Sequence, residues 1–129
     1  MIVVDTSVWI SLIRHASNDV TERLRSYIPQ GLIMIGDIIL LEVLQGAQSD
    51  HHAEMLERQF RAFPCAAMSS PEMALKAAKN YRHLRQRGIT IRKTTDLIIG
   101  TYCIEHDHAL LHSDRDFTPM AEHLGLRIA

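Results

Sequence analysis

The stretch MIVVDTSVWI, residues 1–10, contains a short apolar run, Ile2 to Val4, that ends at an acid, Asp5. Similar unbroken apolar runs occur further along the chain at Leu32 to Ile35, Cys65 to Met68, Ala109 to Leu111 and Leu126 to Ile128. None of these runs alternates with polar residues, and this is typical of strands that are buried on both faces, as in a parallel sheet. The sequence therefore predicts a sheet of short parallel strands.

Helix start and stop signals occupy the stretches between the apolar runs. They predict helices over residues 20–28, 38–45, 50–63, 71–87 and 94–106, and a last one that begins at Asp116 or Thr118 and ends at Gly125. Asp37 is the predicted cap of the second helix, and Ser70 that of the fourth. Strands that alternate with helices indicate βαβ units. We therefore expect a three-layer α/β/α sandwich with a central parallel sheet.

Length and composition are those of one globular domain. The chain has 129 residues, of which 47% are hydrophobic and 22% charged, so collagen and disorder are excluded and residues 1–129 form a single domain. The two cysteines, Cys65 and Cys103, do not have the spacing of a metal site, and two are too few for a disulfide scaffold. Such low cysteine usage favours a reducing compartment. Without a signal peptide pattern or an apolar stretch of about 18 residues, we expect a cytoplasmic protein with no membrane partner.

Five of the fifteen acids occupy unusual positions. Asp5, Asp114 and Asp116 follow predicted strands, Asp96 begins a helix, and Glu42 lies in IILLEVLQG, a helix with leucine and valine on every side. Each acid alone has an ordinary explanation, such as a helix cap, a favourable place in the first turn of a helix or a buried ion pair. Together they indicate a site, because a parallel sheet brings the ends of its strands to one edge, where ligands bind.

Carboxylates gathered at one edge need a partner of positive charge. Two of them 4 Å apart repel by about 4 kcal/mol at an effective dielectric of 20. Oxygen ligands without thiolates or paired imidazoles favour Mg²⁺ or Mn²⁺ over zinc. Such ions suit phosphodiester hydrolysis, because they lower the pKa of the attacking water and stabilise the leaving oxygen.

A basic segment precedes Asp96 although the formal net charge is only -1. No acid occurs between Glu72 and Asp96, whereas seven of the fourteen lysines and arginines do: Lys76, Lys79, Arg82, Arg85, Arg87, Arg92 and Lys93. The segment is either a solvated helix face or a surface for phosphate backbones, and the nearby acids favour the second interpretation. The absence of GxSxG, GxxxxGK[ST], GxGxxG and HExxH argues against a serine hydrolase, nucleotide binding and a zinc protease.

Four strings, VVDTSVWI, LLEVLQG, TTDLIIG and LLHSDRDF followed by AEHLGLRI, resemble the PIN-domain family, and within it the VapC-type toxins of toxin–antitoxin pairs. The resemblance implies an α/β/α sandwich and a Mg²⁺- or Mn²⁺-dependent endoribonuclease. It also implies a homodimer that a cognate antitoxin inhibits. The family's acidic quartet and its frequent fifth acid correspond to Asp5, Glu42, Asp96, Asp114 and Asp116. Thr6 matches a hydroxyl that lines the site, whereas His112 stands where the family often has Thr or Asn.

These observations combine into one hypothesis for the site. Asp5 and Asp96 are the principal metal ligands, Asp114 and Asp116 complete the site or hold a second ion, and Glu42 orients or deprotonates the attacking water. The RNA phosphates are bound by Arg85, Arg92 and Lys93.

Two alternatives remain at this point. The acids could bind a cation that only stabilises an RNA-binding or protein-docking module. A haloacid-dehalogenase-like phosphatase would use Asp5 as a nucleophile, but it needs an acid two residues later, where this chain has Ser7.

Overall fold

A computed structural model describes residues 1–129, the whole sequence. Five strands are present: β1 (Ile2–Val4), β2 (Ile33–Gly36), β3 (Cys65–Ala66), β4 (Ala109–Leu111) and β5 (Arg127–Ile128). Seven α-helices connect them: α1 (Thr6–Ile13), α2 (Asp19–Tyr27), α3 (Asp37–Gln45), α4 (Asp50–Phe60), α5 (Pro71–Gln86), α6 (Thr94–Glu105) and α7 (Thr118–Leu124). Two short 3₁₀ helices cover Ile28–Gln30 and Arg115–Phe117. No helix has the length and apolar character needed to span a membrane.

The five strands form one parallel sheet in the order β3-β2-β1-β4-β5. Strand β1 is central, and Val3 pairs with Met34 on one side and with Leu110 on the other. The chain builds outward from β1 to β3, then returns to build β4 and β5 on the other side of β1. The strand order therefore reverses between β1 and β4, and open α/β sheets bind ligands in the crevice at such a reversal.

Helices cover both faces of the sheet. Helices α1 to α4 pack against one another, and α5 to α7 form a second packed group. The centre of the sheet is buried on both faces, since Val3 and Val4, which point to opposite faces, are both 0% exposed, whereas the edge strand β5 is exposed. The prediction of a three-layer sandwich with a central parallel sheet is confirmed.

The first and fourth strands occupy the predicted residues, and the other elements differ in detail. Strand β2 begins one residue later than predicted, and β3 is only two residues long. Helix α4 ends at Phe60, three residues before the predicted end at Phe63. Past Phe60 the chain continues in tight turns, in which the Ala62 and Phe63 N–H groups donate to the Gln59 and Phe60 carbonyls. Phe60 and Phe63 both pack on the Trp9 ring, with centroid separations of 4.8 and 5.4 Å.

Helix α3 departs from two predictions. Its cap is Gly36 rather than Asp37, which lies in the first turn and accepts hydrogen bonds from the backbone N–H groups of Ile38 and Met68 at 2.8 and 3.0 Å. Asp37 thus holds the segment after β3. The helix is also not buried all round, because Leu41 is 63% exposed. Helix α3 therefore packs one face on the core and leaves an apolar side chain in solvent.

Candidate active site

The predicted acids lie at the carboxyl end of the sheet, beside the reversal in strand order. Asp5 follows β1 and caps α1, and Asp96 lies in the first turn of α6. Both are only 4% exposed, which is rare for acids. Asp114 follows β4 and caps the 3₁₀ helix that contains Asp116. A backbone hydrogen bond of 2.9 Å from the Asp5 N–H to the Leu111 carbonyl joins the ends of β1 and β4.

Three of these acids form a compact cluster. Carboxylate oxygens of Asp96, Asp114 and Asp116 all lie within 4.8 Å of one another. Asp5 and Glu42 do not belong to this cluster, although the negative charge of each raises the pKa of Asp96. The structure therefore brings together residues that are far apart in the sequence.

Asp96 is the most perturbed acid of the site. Burial is the main cause that raises its pKa to about 7. The negative charges of Asp5 and Asp114 raise the pKa further, Lys93 lowers it, and Glu42 adds a still smaller rise. Oδ2 of Asp96 is buried and has no hydrogen-bond partner in the protein. A buried carboxylate oxygen without a donor is costly, and the group must be protonated or must bind a cation.

Asp5 is held by Ser7, which the sequence analysis considered only as the residue that replaces a second acid. The Ser7 N–H and hydroxyl both donate to Oδ2 of Asp5, at 3.1 and 2.5 Å. The Ser7 oxygen also accepts the backbone N–H of Ser113 at 3.3 Å. Burial raises the pKa of Asp5, and the bonds from Ser7 partly offset that rise. The hydroxyl thus fixes the orientation of Asp5 and connects it to the turn after β4.

Glu42 is half-buried on α3 and is oriented by its neighbour in the site. The Thr6 hydroxyl donates to Oε1 of Glu42 at 2.8 Å. Glu42 makes no other hydrogen bond within the protein, so Oε2 is open to solvent or substrate. Thr6 therefore lies against the acid, as expected for a supporting residue.

The turn after β4 presents its two acids through local hydrogen bonds. Oδ1 of Asp114 accepts the N–H of Asp116 at 2.9 Å, which closes the 3₁₀ turn. The Asp114 N–H donates to Nδ1 of His112 at 3.2 Å, and the His112 ring packs on Phe117 with 5.1 Å between centroids. His112, which departs from the usual family pattern, thus supports the backbone of Asp114. His112 lies two residues before Asp114, so the sequence alone could have suggested that its side chain contacts the backbone of that acid.

Close packing fixes the position of Asp96 relative to this turn. Gly100 lies one helical turn after Asp96, and a Cβ at Gly100 would overlap the thioether of Met120 and touch Phe117. Helix α6 therefore approaches its neighbours closely at Gly100. This close approach allows the 3₁₀ helix and α7 to pack directly on α6, so that Asp114 and Asp116 reach Asp96.

A polar cleft of about 680 Å³ opens over the acids, and no hydrophobic residue lines it. Its lining residues are Ser7, Arg92, Lys93, Ser113, Asp114, Arg115 and Asp116. Two of the predicted cations, Arg92 and Lys93, are thus at the site, together with Arg115, which sequence reasoning did not select. Arg85 does not line the cleft; its guanidinium carbon lies 5.8 Å from the centre of the Tyr81 ring on α5.

The residues present fit a hard divalent cation. All the candidate ligand atoms are carboxylate oxygens, the donor type that Mg²⁺ and Mn²⁺ prefer, and no thiolate or imidazole belongs to the cluster. The unpartnered Oδ2 of Asp96 supplies a buried anionic atom that a cation would satisfy.

Comparison with known proteins agrees with this geometry. The PIN-domain family profile matches residues 2–122. VapC ribonuclease Mb1587 of Mycobacterium bovis and ribonuclease VapC11 of Mycobacterium tuberculosis are each 29% identical over 131 residues, which span 100% of this chain and 98% of theirs.

Solved structures share the fold at lower sequence identity. A chain of the DNA-bound VapBC2 structure from Rickettsia felis superposes with a TM-score of 0.79 at 17% identity, covering 100% of this chain and 98% of that one. A chain of VapBC-1 from nontypeable Haemophilus influenzae gives a TM-score of 0.76 at 18% identity, with 100% and 97% coverage. Because the family profile spans nearly the whole sequence and the sheet carries the acids at its carboxyl end, the chain belongs to the PIN-domain family.

Proposed function

We propose that this protein is a Mg²⁺- or Mn²⁺-dependent endoribonuclease and the toxin of a toxin–antitoxin pair. The observation that carries the proposal is the buried, unpartnered Oδ2 of Asp96 within a cluster of three carboxylates at the sheet's reversal point. The names of the full-length relatives, which are VapC ribonucleases, support RNA as the substrate. An RNA substrate is also consistent with a cytoplasmic location.

The proposal assigns a role to each acid. Asp5 and Asp96, the two most buried, would be the principal ligands, and Asp114 and Asp116 would complete the site. A bound divalent ion would neutralise the carboxylates, lower the pKa of the attacking water and stabilise the leaving oxygen. Glu42, whose Oε2 is open, would orient that water or accept its proton.

Cations at the cleft would hold the substrate. Arg92 and Lys93 precede Asp96 by a few residues, line the cleft and form no ion pair, so both are free to bind phosphate oxygens. Lys76, in contrast, is paired with Glu105 at 2.8 Å and with Glu72 at 3.2 Å. Arg85 lies outside the cleft and would contact only RNA that extends along α5.

Cleavage of purified total RNA by the isolated protein tests the enzymatic role. We expect cleavage in Mg²⁺ or Mn²⁺, loss of cleavage in EDTA, and recovery when the metal is added back. Asp5→Asn and Asp96→Asn should each lose at least 100-fold in rate, whereas Asp50→Asn, which changes an exposed acid in the first turn of α4, should cleave normally. RNA binding without cleavage, or cleavage that EDTA leaves unchanged, would favour the non-catalytic module.

The toxin role has separate support and separate tests. Several structural neighbours come from toxin–antitoxin complexes. We expect growth arrest when the chain is expressed alone and relief by Asp5→Asn. Sequencing the new RNA ends in arrested cells would identify the target, and co-purification with the product of an adjacent gene would identify the antitoxin.

The proposed homodimer would bury exposed apolar side chains. Leu75 on α5 and Leu41 on α3 are 75% and 63% exposed, the highest values among the large hydrophobic residues. Light scattering should give about twice the 14.7 kDa chain mass, and Leu41→Glu with Leu75→Glu should reduce it towards the monomer. A monomeric wild-type protein would reject this part of the proposal.

A further inference from the structure

Arg115 is a cation at the cleft that has no partner in the protein. It lies between Asp114 and Asp116 in the sequence, yet it forms neither an ion pair nor a side-chain hydrogen bond with them. Its side chain is exposed and lines the polar cleft over the acids. Its isolation between two acids has a structural reason.

The local backbone provides that reason. A 3₁₀ helix has about three residues per turn, so neighbouring side chains point roughly 120° apart. Asp116 therefore points away from Arg115 and towards Asp96, where its oxygen joins the cluster. Oδ1 of Asp114 is occupied by the Asp116 N–H. The fold thus directs the two acids to the cluster and leaves the guanidinium in the cleft.

The cleft cations come from two segments that meet at the acids. Arg92 and Lys93 belong to the connection that leads into α6, whereas Arg115 belongs to the turn that leaves β4. Asp96 follows the first segment in α6, Asp114 and Asp116 belong to the second, and their carboxylate oxygens form one cluster. A polyanion that crossed the cluster would meet positive charge from both segments.

We propose that Arg115 binds a phosphate adjacent to the scissile one and, with Arg92 and Lys93, positions the RNA backbone over the acids. This inference rests on the proposed ribonuclease function. The planar guanidinium can donate two parallel hydrogen bonds to phosphate oxygens. Contacts from two separate segments restrict the sliding and rotation of the substrate, so they favour the reactive geometry. Arg115 is therefore a positioning residue for the substrate.

Binding of a defined probe tests the inference. The probe is a fluorescein-labelled pool of single-stranded RNAs with twelve randomised positions, and Glu42→Gln is the background that prevents cleavage in Mg²⁺. Fluorescence anisotropy gives Kd at a series of KCl concentrations. Arg115→Gln is compared with Arg115→Lys and with Arg58→Gln, a matched control because Arg58 is exposed on α4, forms no ion pair and lies outside the cleft.

We expect Arg115→Gln to weaken binding by about five- to tenfold. The slope of log Kd against log salt should also fall by about 0.7, the value for the loss of one contact to a single-stranded phosphate. Arg115→Lys should restore the slope but only part of the affinity, because an ammonium keeps the charge and loses the planar fork. Arg58→Gln should match the unsubstituted background in both affinity and slope.

Other outcomes overturn the inference in distinguishable ways. If wild-type protein cleaves RNA in Mg²⁺ while Arg115→Gln leaves both Kd and the salt slope unchanged, the inference is rejected and the ribonuclease function stands. A drop of several degrees in melting temperature with an unchanged slope shows that Arg115 is structural, which also rejects it. If wild-type protein neither binds nor cleaves RNA, both proposals fail.

Discussion

The hydroxyl of Thr6 donates a 2.8 Å hydrogen bond to Oε1 of Glu42, a residue 36 positions later in the chain. This bond joins the start of α1, directly after Asp5, to the middle of α3. It leaves Oε2 of Glu42 as the only oxygen of that carboxylate without a protein partner. Thr6 therefore determines which oxygen of Glu42 is available in the site.

Thr6→Val keeps the shape of the side chain and removes the donor. We expect kcat for RNA cleavage to fall by about tenfold while KM stays unchanged, because Thr6 orients Glu42 and does not bind the RNA. Stability should fall by about 1 kcal/mol, the typical contribution of one hydrogen bond. Thr6→Ser keeps the hydroxyl and should retain most of the activity. Equal kcat values for Thr6→Val and wild type would contradict this role.

The raised pKa of Asp96 predicts how the stability of the metal-free protein depends on pH. The pKa is about 7 in the folded protein and 3.8 for an ordinary aspartate, so between these pH values the folded state binds more protons than the unfolded state. The free energy of unfolding should therefore decrease as pH rises from about 4 to about 7, then level off. Mg²⁺ should raise the melting temperature more at pH 8 than at pH 5.5, since it binds the charged carboxylates.

Asp96→Asn is the control for this pH dependence. Burial lowers the pKa of His112, which acts in the opposite direction, and burial raises the pKa of Asp5, which acts in the same direction as Asp96. The difference between wild type and Asp96→Asn in urea unfolding at each pH isolates the contribution of Asp96. A difference that stays constant from pH 4 to pH 8 would show that folding does not raise the pKa of Asp96.

Ser7→Ala should destabilise the protein by about 1–3 kcal/mol, because it removes a donor to a buried carboxylate and an acceptor for the Ser113 N–H. Ser17→Ala is a suitable control, since the Ser17 hydroxyl makes only a 3.4 Å surface contact with Glu22. Its effect should stay within about 0.5 kcal/mol. Urea unfolding in EDTA measures both values, and similar losses for the two variants would show that Ser7 does not hold the site together.

Gly100→Ala should disturb the packing of α7 on α6. The added methyl group would overlap the thioether of Met120, which is 0% exposed and has little room to move. We expect a net loss of about 1–2 kcal/mol, since overpacking outweighs the roughly 1 kcal/mol by which alanine favours a helix. In a Met120→Ala background the same change should cost less, and a double-mutant cycle in urea detects this coupling. Additive losses would mean that the two side chains do not conflict.

The layered fold and the position of the acids were predictable from the sequence because both depend on short-range patterns. An unbroken apolar run such as Ile2–Val4 is typical of a strand covered on both faces, and an acid directly after such a strand, such as Asp5, lies at the edge of the sheet. That Asp96 lies close to Asp114 could not be predicted from the residues around either acid. This proximity depends on Gly100, which lets the two segments touch.

The remaining predictions failed where they depended on the direction in which a side chain points, which the sequence does not show. The leucines around Glu42 suggested a helix buried on all sides, but only the packing of α3 shows that Leu41 faces solvent. Likewise, Arg85 and Arg92 both belong to the basic segment. Helix α5 ends between them, and of the two only Arg92 lines the cleft. Arg115 was not selected because it lies outside the basic segment before Asp96, and only the structure places it at the cleft.

The bond between Ser7 and Ser113 spans 106 residues, so the two halves of the site belong to opposite ends of the chain. During translation, Asp5 leaves the ribosome long before Asp114 has been synthesised. The central strand then has β2 as a neighbour but lacks β4, and the pocket does not yet exist. A nascent chain of the proposed toxin is therefore harmless until nearly all of it is made, and a premature stop before Asp114 would yield an inert fragment.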